Sequence, residues 1–190
     1  LVHVSTDYVF DGETRAPYAE AAQPSPRNWY GISKLAGEYA ARAYAPRSLI
    51  VRTSAIFAPS GHNFVATMLR LARAGRSLRV VDDQTTAPTY APHLADAIWR
   101  LIAVAPEQTG TVHLSAQGST TWYSFAQAIF TAAGLANVEL APTTTAAYGA
   151  PAARPAYSLL ANQRLAQLGL APLPHWQDGL AEYLAAIQAH

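Results

Sequence analysis

The sequence predicts an α/β fold built on parallel strands, and three observations carry that prediction. Short apolar runs (Leu1–Ser5, Ser48–Thr53, Leu78–Val81 and Thr111–Ser115) are continuous rather than alternating, as strands covered on both faces are. Segments with apolar residues at helical spacing lie between them, so strand and helix alternate along the chain. Of 190 residues, 51% are hydrophobic and only 13% charged, enough apolar material for one domain to bury a substantial core.

The first strand, Leu1–Ser5, runs into Ser5-Thr6-Asp7-Tyr8. Polar groups are thereby delivered at a strand's C-terminal edge, where open α/β sheets place their ligands. A loop follows, marked by Asp11-Gly12, Pro17, Pro24 and Pro26. Asn28 offers a cap to a helix running to about Tyr44, and Pro46 stops it. After the strand Ser48–Thr53, a loop at Ser54–Asn63 leads to a helix from Phe64 to Ala74, closed by Gly75. Strand Leu78–Val81 ends in Asp82-Asp83, read as a solvated strand end, and Gln84–Tyr90 reads as a polar loop. Pro92 opens a helix through about Val104, with Leu94, Ile98 and Leu101 inward. Thr111–Ser115 is a strand, a helix runs from about Trp122 to Gly134, and Val138–Leu140 is the last strand. The Pro/Ala-rich stretch Thr143–Pro155 reads as a loop. Helices at Gln163–Leu168 and His175–Ala189 finish the chain.

Composition narrows the function classes. Net charge is +1 and no basic run is present, which predicts no nucleic-acid partner. No apolar stretch reaches membrane-spanning length, which predicts no membrane partner. The absence of Cys removes disulfide and thiol chemistry and fits a cytoplasmic location. The six His (His3, His62, His93, His113, His175, His190) show no ligand spacing, so no metal site is expected.

Tyr30 and Lys34 stand four apart in the first helix, which puts a phenol and an ammonium one turn apart on one face. A cation beside a phenol favours the phenolate, so the two read either as an acid–base pair or as an ordinary amphipathic face. Twelve of the 13 basic residues are Arg and only Lys34 is Lys, a compact titratable charge where a planar fork would not substitute. From the residues alone Thr6 and Asp7 read first as turn caps and only second as site residues.

The polar clusters resemble the extended short-chain dehydrogenase/reductase superfamily, and within it the dTDP-4-dehydrorhamnose reductase family. The matching pieces are STDYVFDG (Ser5–Gly12), PYAE (Pro17–Glu20), P-x-x-x-YGxSKLAGE (Pro26–Glu38) and RTS (Arg52–Ser54). NFVATMLRLA (Asn63–Ala72), LRVVDDQ (Leu78–Gln84), APTYA (Ala87–Ala91), TTW (Thr120–Trp122) and ARPAYSLL (Ala153–Leu160) continue in the family's order. The resemblance implies the C-terminal part of a Rossmann-like parallel sheet plus a small α/β substrate-binding region. Residues 1–60 would hold the NAD(P)-binding part with the catalytic residues. Residues 61–190 would be mainly sugar-nucleotide-binding, returning in part to the sheet.

Thr6, Tyr30 and Lys34 are then implied to be catalytic. Tyr30 would be the general acid, and Lys34 its partner and a contact to the nicotinamide ribose of NADPH or NADH. Thr6 would hold the carbonyl oxygen. Val4 would lie beside the cofactor, and Asp7, Ala55 and Arg154 on the dTDP-sugar; a homodimer is compatible with the resemblance. Arg154 reads from its chemistry either as a diphosphate clamp or as a surface arginine.

Two departures accompany the match. The family usually has a Trp after the RTS motif, lining the sugar site, where this chain has Ala55; Trp29 or Trp122 would have to replace that flat surface. The 11 glycines never form the Gly-rich turn that lets a backbone approach a pyrophosphate. The chain also opens within what reads as a buried strand, and the expectation is a C-terminal fragment. Two other readings stay open: a non-catalytic relative resembling the regulatory subunit of methionine adenosyltransferase, and another sugar-nucleotide epimerase or dehydratase.

Overall fold

A computed structural model describes residues 1–188; the predicted last helical residue Ala189 and His190 lie outside the described residues. In chain order the first elements are β1 (Val2–Thr6), α1 (Trp29–Tyr44), β2 (Leu49–Thr53), β3 (Ile56–Phe57), α2 (Phe64–Arg73) and β4 (Leu78–Val81). β5 (Thr85–Thr86), β6 (Thr89–Tyr90), α3 (Ala91–Val104), β7 (Gly110–His113), β8 (Thr120–Thr121) and α4 (Trp122–Ala132) follow. β9 (Leu140–Thr143), α5 (Thr145–Tyr148), α6 (Gln163–Gln167) and α7 (Trp176–Gln188) complete the described chain.

β1, α1 and β2 make a β-α-β unit whose strands run parallel, from Val2 opposite Leu49 to Thr6 opposite Thr53. β7 joins the other edge of β2 in parallel, giving the order β1-β2-β7. Every residue of β2 is buried, as its unbroken LIVRT run requires. Leu49, Val51 and Val112 pack on Leu94, Ala97 and Leu101 of α3. A second core gathers α2, α4 and α7 around Phe125, whose ring meets Phe57, Phe64 and Trp176.

The sheet carries one buried charge cluster. Glu38 of α1 is fully buried and accepts from Ser5 Oγ of β1 (2.6 Å) and from Arg52 Nε and Nη2 of β2 (2.8 and 2.7 Å). Arg42, one turn along α1, adds a bond of 3.1 Å. Burial pushes the Glu38 carboxyl up, but hydrogen bonds from Arg52 and Ser5 outweigh it and hold the group below the usual range. His113 of β7 lies against the same cluster and stays neutral, because burial pushes its pKa down to about 4 despite the nearby Glu20.

The structure departs from the sequence expectations where elements are very short. The Ser54–Asn63 loop contains β3, and the Gln84–Tyr90 loop contains β5 and β6, each of two residues. Such strands are too short to show a period of two. The strand predicted at Val138–Leu140 lies instead at Leu140–Thr143, with Pro142 inside it. That proline is tolerated because β9 is an edge strand paired only with β4. The Thr143–Pro155 loop holds the single-turn helix α5, capped by Thr144 and closed by Gly149 in the left-handed region at φ 66°. Asp82-Asp83 is also more than a solvated strand end. Asp82 accepts from Thr121 Oγ1 at 2.6 Å, and Asp83 receives both the backbone N–H and the hydroxyl of Thr145.

Candidate active site

The site begins where β1 ends. Thr6 has extended backbone, and its Oγ1 caps the 3-10 turn Asp7–Val9 by accepting from Tyr8 N (3.2 Å). The same hydroxyl donates to Asp7 Oδ1 at 2.9 Å. Thr6 therefore caps the turn that Asp7 opens, and both residues also line a cavity, so the two readings describe one arrangement.

Helix α1 brings the second group. Asn28 caps it by accepting from Gly31 N (2.8 Å), while its amide nitrogen donates to the Ala153 carbonyl (2.8 Å). That bond ties the helix start to the segment preceding Arg154. Gly31 is required by contact rather than by turn geometry: a Cβ there would lie 2.1 Å from the Tyr8 carbonyl oxygen. With α1 pressed on the Tyr8 backbone, the Tyr8 and Tyr30 rings meet edge to face, 5.8 Å apart at 82°. One turn on, Lys34 Nζ donates to the Val4 carbonyl at 2.7 Å.

Thr6, Asp7, Tyr30, Ala55 and Arg154 line one cavity of about 390 Å³. Val4 and Lys34 do not line it; they form the contact between β1 and α1 beside it. Ala55 adopts φ 46°, a left-handed conformation uncommon outside glycine. Of the two tryptophans that could supply a flat surface near Ala55, Trp122 lines the cavity, while Trp29 is 84% exposed and lies outside it. Trp122 also packs on Phe64 at 4.7 Å, so it serves the core and the site together. A second cavity of about 360 Å³ shares Tyr8, Trp122 and Arg154 with the first and adds Arg79 and Tyr148. Tyr8, Thr53, Gln84 and Ser158 were not singled out from the sequence, yet all four line the first cavity. All four stand in matched motifs, Tyr8 in STDYVFDG, Thr53 in RTS, Gln84 in LRVVDDQ and Ser158 in ARPAYSLL, which is the signal the sequence offers.

Burial decides the protonation of two of these groups. It pushes the Tyr8 hydroxyl up to about 12, with Asp7 adding to the effect and Arg154 opposing it, so Tyr8 is a neutral phenol. Asp7 is only 2% exposed, and burial raises its carboxyl to about 6 against the pull of the Ser158 and Thr6 hydroxyls. A carboxyl held above its unfolded value of 3.8 stabilises the fold below that value and loses this contribution as pH rises through about 6. An Asp7→Asn variant should therefore gain stability relative to the parent as pH rises from 4 to 7. The gain should reach on the order of 3 kcal/mol, since one pKa unit corresponds to about 1.4 kcal/mol. Thermal melts of both proteins across that range check it; a constant difference would contradict the burial argument.

Among the described residues no group of three or more His, Asp or Glu is arranged to hold a metal, and no helix is long and apolar enough to cross a membrane.

The sequence profile of the family described as RmlD substrate binding domain matches residues 1–189. The dTDP-4-dehydrorhamnose reductase of Escherichia coli (strain K12) is 43% identical over 194 residues, covering 97% of this chain and 64% of that protein. The spore coat polysaccharide biosynthesis protein SpsK of Bacillus subtilis is 43% identical over 183 residues, covering 96% of this chain and 63% of that protein. Among solved structures, dTDP-4-dehydrorhamnose reductase from Bacillus anthracis in complex with NADP superposes with a TM-score of 0.93 at 39% identity. That match covers 97% of this chain and 65% of the other. The chain thus spans 63–65% of the length of these three relatives.

Proposed function

The chain belongs to the RmlD substrate binding domain family, and from that premise we propose that it carries the acid–base and sugar-nucleotide side of an NAD(P)H-dependent reductase. The reaction is reduction of the 4-keto group of dTDP-4-dehydro-L-rhamnose to dTDP-L-rhamnose. The observation that carries this reading is the meeting of Thr6 and Tyr30 on one cavity wall, with Lys34 one turn along the same helix.

The donor set fits the ribose end of a nicotinamide cofactor. Lys34 uses one of its three N–H donors on the Val4 carbonyl and keeps two for hydroxyls, and the Tyr30 phenol stands on the same helix face. The cofactor, when bound, supplies the hydride. The chain's own residues do the rest. Tyr30 holds the proton that the reduced carbonyl oxygen must gain and gives it up from its Oη. Lys34, one turn along the same helix, would help hold the cofactor ribose through its remaining N–H donors. The Thr6 hydroxyl points at Asp7 in this structure, so donation to the substrate oxygen requires it to turn from Oδ1 into the cavity. Asp7 and Arg154 lie on the substrate side. In the adjoining cavity the guanidinium groups of Arg79 and Arg154, with the rings of Tyr8, Trp122 and Tyr148, suit a diphosphate and a base.

The intact protein should oxidise NADPH or NADH when given dTDP-4-dehydro-L-rhamnose, followed by absorbance of the reduced cofactor; no turnover with either would overturn the proposal. Arg154→Ala should weaken dTDP binding by roughly ten- to a hundred-fold, the worth of a charge-assisted bond, measurable by calorimetry. Unchanged affinity would return Arg154 to the surface. A non-catalytic role is the weaker reading, because all three groups needed for proton transfer are present and two line one cavity.

A further inference from the structure

Three side chains on the wall of the cavity that Thr6 and Tyr30 share are more than nine-tenths buried, and each has an oxygen without a hydrogen-bond partner among the described residues. They are Asp7 Oδ2, Thr53 Oγ1 and Gln84 Oε1. Folded proteins leave few buried polar atoms unpaired, and these three share one cavity wall, where a ligand could reach them. Asp7 is already on the substrate side of the proposed reaction. Gln84 is not, and its surroundings fix which end of its amide is available.

The orientation follows from a chain of donors and acceptors. Asp83 receives the backbone N–H of Thr145 on both oxygens (2.9 and 2.8 Å) and the Thr145 hydroxyl on Oδ1 (2.6 Å). These bonds hold Asp83 as a carboxylate, which can only accept, so the single Thr145 hydroxyl proton is committed to it. Toward Gln84, 2.9 Å away, Thr145 Oγ1 can therefore only accept. The Gln84 nitrogen must face Thr145, and the oxygen is left over. An amide that could otherwise present either end is locked as an acceptor.

We propose that Gln84 is a specificity-determining residue, its Oε1 accepting a hydroxyl hydrogen of the hexose bound in the reaction cavity, with Thr145 and Asp83 as positioning residues. The inference rests on the sugar-nucleotide reading above and adds to it which side chain reads the ring's hydroxyls. Thr53 Oγ1, able to donate or accept, supplies a further contact on the same wall.

The probes are dTDP-L-rhamnose and dTDP, titrated into the intact protein by calorimetry. Gln84→Leu should weaken dTDP-L-rhamnose roughly ten-fold, because a hydroxyl loses its acceptor, and leave dTDP unchanged, because Gln84 does not line the arginine-rich cavity. Thr145→Val should weaken the sugar nucleotide by releasing the amide, and Thr145→Ser should restore it, which a merely structural role for Thr145 would not separate from dTDP affinity. Equal affinity of parent and Gln84→Leu for dTDP-L-rhamnose, or a parallel loss for dTDP, overturns the inference and leaves the reductase reading standing. Failure of the parent to bind either probe overturns both.

Discussion

Tyr30→Phe is expected to lower kcat for reduction of the keto-sugar nucleotide by about 10²–10⁴-fold, the usual worth of a positioned general acid, with KM within a few-fold of the parent. The ring stays and only the phenolic oxygen goes. Its edge-to-face contact with Tyr8 and the packing of Gly31 on the Tyr8 backbone should therefore persist. Tyr8 cannot take over as the acid: burial holds its hydroxyl near 12, a poor match to neutral pH. Steady-state kinetics with reduced cofactor, beside a thermal melt to establish that the variant folds, decide the matter. A folded Tyr30→Phe protein with unreduced kcat would remove Tyr30 from the proton path.

Glu38→Ala should cost on the order of 3–5 kcal/mol of stability, because it leaves the Arg52 guanidinium buried without its counter-ion. Among the described residues Arg52 Nη1 has no hydrogen-bond partner even in the parent, so the guanidinium depends on the Glu38 carboxylate. Ser5 Oγ loses its acceptor as well, which loosens the residue beside Thr6. The pH dependence has a definite sign. Glu38 is held below its unfolded value of 4.5, so its contribution is present above that pH and is lost as pH falls through the folded value. The gap between parent and Glu38→Ala should accordingly narrow on acidification. By contrast, Glu13→Ala breaks the exposed pair with Arg27 and should leave the free energy of unfolding nearly unchanged. Chemical denaturation of the three proteins at neutral and acidic pH measures both effects. A loss at Glu38 no greater than at Glu13 would contradict the buried-pair account.

Features that depend on neighbours within a turn or two are legible in the residues themselves. Asn28 as a cap, Tyr30 and Lys34 on one face, the continuous apolar run of β2 and the stop after Tyr44 are all written in spacings of a few residues. The matched motifs added Thr6, Asp7 and Arg154 as groups to watch, but not how they meet. Tertiary structure decided the rest, because the deciding contacts join residues far apart in the chain. Arg154 reaches the cavity beside Tyr30 where the Asn28 amide binds the Ala153 carbonyl, across 125 positions. Gln84 becomes a locked acceptor only through Thr145, 61 positions away. Two-residue strands and the shift of β9 onto Pro142 were illegible for the same reason: their pairing partners, not their own residues, make them strands. Periodicity and capping act over about one helical turn, whereas a binding wall is assembled from side chains that only packing and long-range hydrogen bonds bring together.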